Sequence, residues 1–208
     1  MCSSDLIAGV TRGMNALVVS PSSPMKTLAD LVARGKRQQI AIGTYSDGYR
    51  LALEWLSAQT GAKFQNVPYK GGAQIFTDVM GGHLEAGVVD LGGAKELLRT
   101  GKLRALAVSG EARHKDFPNV PTIRESGYPD YVNYAWTSFY VRAETPDDIT
   151  RKLADAMQVA LHSEAATEYV NRIGSELMPY TAEKMREYQN AEIARFRGIA
   201  EAAGIKPQ

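Results

Sequence analysis

Little in this 208-residue chain could serve redox or metal chemistry. Its one cysteine, Cys2, cannot form an intramolecular disulfide and has no Cys or His neighbour at ligand spacing. The three histidines, His83, His114 and His162, lie far apart, without the carboxylate or cysteine spacing of a metal site. His83 reads as a turn residue and the other two as surface; no metal and no cofactor is expected. No run approaches the ~20 apolar residues a bilayer span requires, and the longest candidate, Ala16-Leu17-Val18-Val19, is a strand, so direct membrane insertion is not expected. Neither sign of charge dominates: 24 Lys and Arg against 23 Asp and Glu leave +1, which argues against nucleic acid and anionic membrane as partners. A nucleophile elbow, a phosphate-binding P-loop, a zinc motif and paired catalytic carboxylates are all absent, which points away from an enzyme. The start of the chain also lacks the basic, apolar and small-residue succession of a signal peptide.

What remains is an ordinary globular composition, 44% hydrophobic and 23% charged, with enough length for one large domain or two small ones. From Asn15 onward, short apolar runs alternate with amphipathic stretches, the rhythm of a layered α/β protein. Strands are expected at Leu17–Val19, Ile40–Ile42, Phe64–Pro68, Leu84–Val89 and Leu103–Val108. Helices are expected over Thr27–Arg34, ended by Gly35; over Arg50–Thr60, with Leu51, Trp55 and Ala58 on one side and Gly61 as the stop; and over Ala73–Met80 and Ala94–Thr100. Four strands alternating with helices favour parallel pairing. After Ser109 the prolines Pro118, Pro121 and Pro129 mark an irregular segment, followed by an aromatic strand, Tyr134–Val141. Thr145-Pro146-Asp147-Asp148 reads as a helix start with Thr145 as cap and Ile149, Leu153 and Met157 on one face. Helices over about Glu164–Ile173 and Ala182–Ala203 complete the chain. The stripe Met185, Tyr188, Phe196 and Ile199 of the last one has little left to pack against, so a partner is missing.

In open α/β sheets ligands bind beyond the carboxyl ends of the strands, so the strand-exit loops are the candidates. Gly43-Thr44-Tyr45-Ser46-Asp47-Gly48-Tyr49-Arg50 combines hydroxyls, glycines and a helix N-terminus, which suits an anion, and Arg50 could grip a carboxylate with two hydrogen bonds. A capped turn with Asp47 serving the helix is the alternative. At Tyr69-Lys70-Gly71-Gly72 the paired glycines admit close approach of a ligand; a tight turn with a solvated lysine is the alternative. Asp90 in Asp90-Leu91-Gly92-Gly93 caps the next helix or holds a cleft hydroxyl or water. Trp136, in Trp136-Thr137-Ser138, reads as core or hinge packing before it reads as a ligand contact.

The order of Val67-Pro68-Tyr69-Lys70-Gly71-Gly72, Gly81-Gly82-His83-Leu84-Glu85-Ala86-Gly87, Gly101-Lys102-Leu103-Arg104-Ala105-Leu106-Ala107-Val108, Phe117-Pro118-Asn119-Val120-Pro121-Thr122 and Glu125-Ser126-Gly127-Tyr128-Pro129 resembles the substrate-binding receptors of tripartite tricarboxylate transporters, the Bug receptors. The resemblance runs from about Asn15 to Pro207. It implies an α/β fold of the type II periplasmic-binding-protein class, a two-domain clamshell in which a small carboxylate is held by backbone amides, hydroxyls and water and is then delivered to membrane transporter subunits. It further implies ligand-binding roles for Thr44, Tyr45, Ser46, Asp47, Gly48, Arg50, Gly71, Gly72, Asp90, Trp136 and Thr137. Arg50 falls at or near a position where the family usually carries histidine, which puts a water-mediated grip in doubt and implies either a more anionic ligand or a direct Arg–carboxylate contact.

The resemblance also implies an N-terminal truncation. Residues 17–135 match a complete second domain, 136–208 the return strand and C-terminal helices of the first, and 1–16 a partial first domain or an artefactual leader. Met1–Leu6 read like one frame of a sequencing-adapter tail fused to a truncated gene; a genuine, disordered N-terminus is the plain alternative. The full-length protein would be periplasmic. Two rival readings stay open: an α/β enzyme binding a phosphate or cofactor at the Gly43 loop, and the effector-sensing domain of a transcription regulator. The plain alternative to all of these is that the polypeptide is not a stable, functional product.

Overall fold

The structure, a computed structural model, describes residues 4–205. Cys2 lies outside the described residues. By their internal contacts the residues form two units: one holds the chain up to Gly13 together with Trp136–Gly198, the other Met14–Ala135 together with the chain from Ile199 onward. The division differs from the sequence reading in setting the boundary at Met14 and in grouping the end of the last helix with the middle of the chain.

The Met14–Ala135 unit is built on five strands in the order β3-β2-β4-β1-β5, comprising β1 (Ser4–Val19, of which the second part belongs to this unit), β2 (Ile40–Thr44), β3 (Phe64–Pro68), β4 (Ala86–Asp90) and β5 (Arg104–Val108). Strand β2 pairs parallel with β3 and β4, as the alternating pattern predicts. The expectation of parallel pairing fails at β1, which pairs antiparallel with both β4 and β5. The βαβ crossovers therefore keep β2 to β5 pointing one way, and β1 is inserted between β4 and β5 in the opposite sense. Nothing in Leu17–Val19 announces this, because β1 begins far upstream of the apolar run: Gly9, Thr11, Arg12 and Gly13 look like a loop but lie within the strand.

Helices cover both faces. Leu28, Leu31 and Val32 of α1 (Leu28–Arg37) and Tyr49, Leu53 and Leu56 of α2 (Asp47–Thr60) pack with Leu17, Val19, Ile40, Ile42 and Val88. On the other face Ile75 and Val79 of α3 (Gly72–Met80) and Leu91 and Ala94 of α4 (Leu91–Arg99) pack with Met14, Ala16, Val18 and Val89. Each such buried aliphatic side chain contributes about 1.5–3 kcal/mol, and parallel strands covered on both sides read as continuous apolar runs. Two helix expectations are corrected. Gly35 is inside α1 and does not end it: a Cβ there would come within 2.8 Å of Ala62 Cβ, so the glycine serves close packing. The buried face of α2 is Tyr49, Ala52, Leu53, Leu56 and Thr60, with Ala58 exposed. His114, expected at the surface, is buried, and its Nδ1 accepts the Asp116 N–H at 3.1 Å.

The other unit contains the first part of β1, β6 (Tyr134–Arg142) and β7 (Glu176–Leu177), both paired to β1, with α5 (Asp147–Leu161), α6 (Glu164–Ile173) and most of α7 (Ala182–Ala202). Thr11 and Arg12 face Leu177 and Glu176 in the ladder, and Arg12 Nε donates to Glu176 Oε2 at 2.9 Å. Leu6, Met178 and Met185 make a small core. Thr145 does not cap α5: Pro146 occupies the cap position, where no side-chain hydrogen bond forms. The expected α5 face is partly uncovered, with Ile149 and Leu153 each 42% exposed and Met157 half-buried. Of α7, Met185 alone is buried among the described residues, which agrees with the scarcity of packing anticipated for that helix.

One contact fixes how closely α3 lies on its sheet. Gly43 and Gly87 are register partners on β2 and β4. A Cβ on Gly87 would stand 2.5 Å from Ile75 Cγ2, and one on Gly43 2.7 Å from Leu84 Cδ2 and 3.2 Å from Ile75 Cγ1. Gly87→Ala should therefore cost about 1–3 kcal/mol by overpacking, read as a lowered midpoint in chemical denaturation.

Candidate carboxylate site

At the carboxyl ends of the parallel strands the chain passes directly into helices: β2 into α2, β3 into α3 and β4 into α4. Because β2 exits to one face of the sheet and β3 and β4 to the other, the strand ends open a crevice between their connections. Each helix start carries unpaired N–H groups and the positive end of the helix dipole. The three are finished differently. At α2 the Ser46 hydroxyl accepts the Tyr49 N–H at 3.5 Å, and at α4 Asp90 Oδ2 accepts the Gly93 N–H at 2.7 Å. At α3 the cap is Gly71, and no side chain occupies the N–H groups. Gly71 has an extended backbone, φ −175°, and a Cβ there would meet nothing within 4 Å, so neither conformation nor packing calls for glycine at this position.

Of the residues singled out in the sequence, Thr44 is buried and committed to structure: its hydroxyl donates to Asn66 Oδ1 at 2.5 Å, and its carbonyl accepts the Tyr69 N–H at 2.8 Å. Ser46, Asp47 and Gly48 are exposed, with Ser46 rather than Asp47 capping the helix. Arg50 is half-buried in the first turn of α2, and no ion pair engages its guanidinium among the described residues. Tyr45, Gly72 and Asp90 come together. A Cβ on Gly72 would lie 3.6 Å from both Tyr45 and Phe76, and one on Gly93 would lie 3.6 Å from Asp90 Oδ2 and 4.0 Å from Phe76. Trp136 and Thr137 belong to the other unit, where Trp136 packs edge-on against Tyr188 with ring centroids 6.0 Å apart and Thr137 Oγ1 is 2.8 Å from Thr11 Oγ1.

Burial acts against the charged form of each polar group of the cluster. Tyr45 donates to the Tyr49 hydroxyl at 2.8 Å. Burial pushes both hydroxyls above the ordinary tyrosine range, and the Asp90 charge adds to this for both. Burial likewise raises Asp90, against the opposing pull of the Gly93 and Gly92 N–H groups. Tyr69 is pushed up to about 12, chiefly by the hydrogen bond it donates to Asp78 at 2.6 Å. The cluster thus offers oriented N–H groups and neutral hydroxyls, a set that suits an anion, and Arg50 stands in the first turn of α2. No group of three or more His, Cys, Asp or Glu stands where it could hold a metal ion, among the described residues.

The family described as "Tripartite tricarboxylate transporter family receptor" matches residues 3–205. This chain belongs to that family. Among its relatives, protein BugT of Bordetella pertussis is 30% identical over 194 residues, covering 91% of this chain and 60% of BugT. The structure of R. palustris Rpa4515 with adipate superposes with a TM-score of 0.90 at 30% identity, covering 99% of this chain and 70% of Rpa4515. A TctC solute-binding protein from Polaromonas, solved without ligand, gives a TM-score of 0.78 at 25% identity over 96% of this chain and 70% of its own. The chain thus spans about three fifths of the length of BugT. The match takes in residues 3–6, within the stretch expected to be foreign, and Leu6 is buried beside Met178 and Met185. Among the described residues no helix is long and apolar enough to cross a membrane.

Sequence reasoning passed over Tyr49 and Phe76 as site residues. Tyr49 was legible as part of the loop, but its burial in the first turn of α2 was not; Phe76 stands on α3 at a spacing that reads as core. Asp90 generates a test. Its folded pKa is raised, so its contribution to stability is fully present below the unfolded value of 3.8 and is lost as pH rises through the folded value. Asparagine caps equally well without that charge. The melting temperature of Asp90→Asn relative to the parent should therefore be higher at pH 7 than at pH 3.

Proposed function

We propose that this chain is the carboxylate-gripping part of a periplasmic solute receptor that captures a small organic acid and hands it to the membrane subunits of a tripartite tricarboxylate transporter. The observation that supports this most directly is the open N-terminus of α3, with unoccupied space over Gly71 and a tyrosine–phenylalanine wall beside Gly72. An oxyanion there would take up N–H groups that have no side-chain cap, and its charge would be favoured by the helix dipole. Arg50, without an ion-pair partner among the described residues, supplies a second attachment for a carboxylate. That the related Rpa4515 was solved with adipate supports a dicarboxylate as the ligand class.

On this reading no bond is made or broken, so the protein is not an enzyme. Residues 17–135 carry one half of the grip, and residues 136–208 with the start of the chain belong to the domain that carries the other, Trp136 and Thr137 included. Function then follows from the ligand favouring one arrangement of the domains over another.

Isothermal titration of the full chain with adipate tests the reading. Binding should be saturable, and Arg50→Gln should weaken it about tenfold, the loss expected for a charge-assisted hydrogen bond. Gly71→Ala should weaken binding by a similar factor while costing less than about 1 kcal/mol of stability. Absence of heat with adipate and with shorter diacids, or an unchanged affinity in both variants, would overturn the assignment.

A further inference from the structure

A buried polar group of the Met14–Ala135 unit adjoins the exit loops without belonging to them. Asn15, on β1, is 4% exposed, and its Oδ1 has no hydrogen-bond partner among the described residues. A buried amide oxygen without a donor is costly, on the order of 1–3 kcal/mol, and native structures rarely keep one without a reason. The backbone of Asn15 is fully engaged. Its N–H donates to Ser109 Oγ at 2.8 Å, its carbonyl accepts the Ser109 N–H at 3.0 Å, and the Ser109 hydroxyl in turn donates to the Asn133 carbonyl. The residue is held rigidly while its side chain stays unsatisfied.

The ladder says where that side chain lies. Asn15 and Asp90 are direct register partners in the antiparallel β1·β4 pair. Partners in such a pair project to the same face with Cβ atoms about 4.5–5.5 Å apart. The face is the one bearing Leu17, Val19 and Val88 and covered by Tyr49 of α2. Asp90 stands at the end of β4 beside Tyr45 and Tyr49, and its Oδ2 is occupied by Gly93. Two acceptors, an amide oxygen and a carboxylate, therefore adjoin the strand ends whose helix N-termini and Arg50 offer only donors.

We propose that Asn15, with Asp90, is a specificity-determining residue that selects acids carrying a hydrogen-bond donor, a hydroxyl or an ammonium, beside the bound carboxylate. The inference rests on the carboxylate-receptor reading and refines it. Donors in the site fix the carboxylate, and the acceptor pair distinguishes a substituted acid from its plain counterpart. An acid without the substituent leaves Asn15 Oδ1 unpaired, and failure to satisfy a buried polar group discriminates more strongly than a missing apolar contact.

The test is calorimetric titration of the full chain with three four-carbon diacids, succinate, malate and aspartate. The parent should bind malate or aspartate about tenfold more tightly than succinate, the stronger of the two reporting whether hydroxyl or ammonium is preferred. Asn15→Leu, which keeps the branched shape and removes the acceptor, should bring that ratio close to one by weakening malate and aspartate. Equal affinity of the parent for all three acids overturns the selection while leaving the carboxylate reading intact, and this arm needs no variant to fold. Failure of every diacid, adipate included, overturns both. An Asn15→Leu variant that binds all three acids more weakly by one common factor, with a lowered melting temperature, makes Asn15 a structural amide and also overturns the proposal.

Discussion

The close approach of α3 to the sheet is the constraint on which the rest of this unit depends. Two glycines in register, Gly43 and Gly87, leave a shallow seat on adjacent strands, and Ile75 fills it. A helix normally packs on a sheet across side chains from both layers; under Ile75 one layer is nearly absent. The consequence is positional. The first turn of α3, with Gly71 and Gly72, comes level with the ends of β2 and β4, and Phe76 comes beside Gly93. Were the seat filled, α3 would ride higher, and the cluster of Tyr45, Phe76 and Asp90 would separate.

Given that placement, the chemistry follows from how each helix start is finished. A capped start has spent part of its donor capacity internally: Ser46 does this at α2 and Asp90 at α4. Gly71 spends none. Asp90 has a double character, being a cap whose N–H partners favour its charge and a buried carboxylate whose surroundings oppose it. Those two effects oppose each other at Asp90, and the tyrosine hydroxyls alongside are held neutral by burial.

Much of the architecture was legible from spacing. The parallel strands β2 and β3, the stop at Gly61 in the left-handed region at φ 68°, and α6 with its bounds all follow from apolar periodicity and glycine placement. The misreadings share a cause: a local rule was overridden by packing that local sequence cannot show. Gly35 looked like a stop and proved to be a close contact with Ala62. Thr145 looked like a cap, but Pro146 took the cap position. For the site, the loop residues were visible as a class, Tyr49 among them, whereas Phe76, which reads as core, and Asn15 were not. The significance of Asn15 lies in what stands opposite, and only the ladder supplies that.

Strand β1 runs unbroken from Ser4 to Val19 and serves as a common ruler for both units. Near its start Gly9 passes so close to the Met178 carbonyl that an added Cβ would stand 2.8 Å away; near its end Asn15 faces Asp90. Side chains alternate along a strand, so a shift by a single residue would exchange its two faces everywhere at once. Ala8 or Val10 would then meet the Met178 carbonyl, and Met14 or Ala16 would stand opposite Asp90. Insertions and deletions tolerated in most surface connections are thus barred from this segment, and the phase of one strand is inherited by both units.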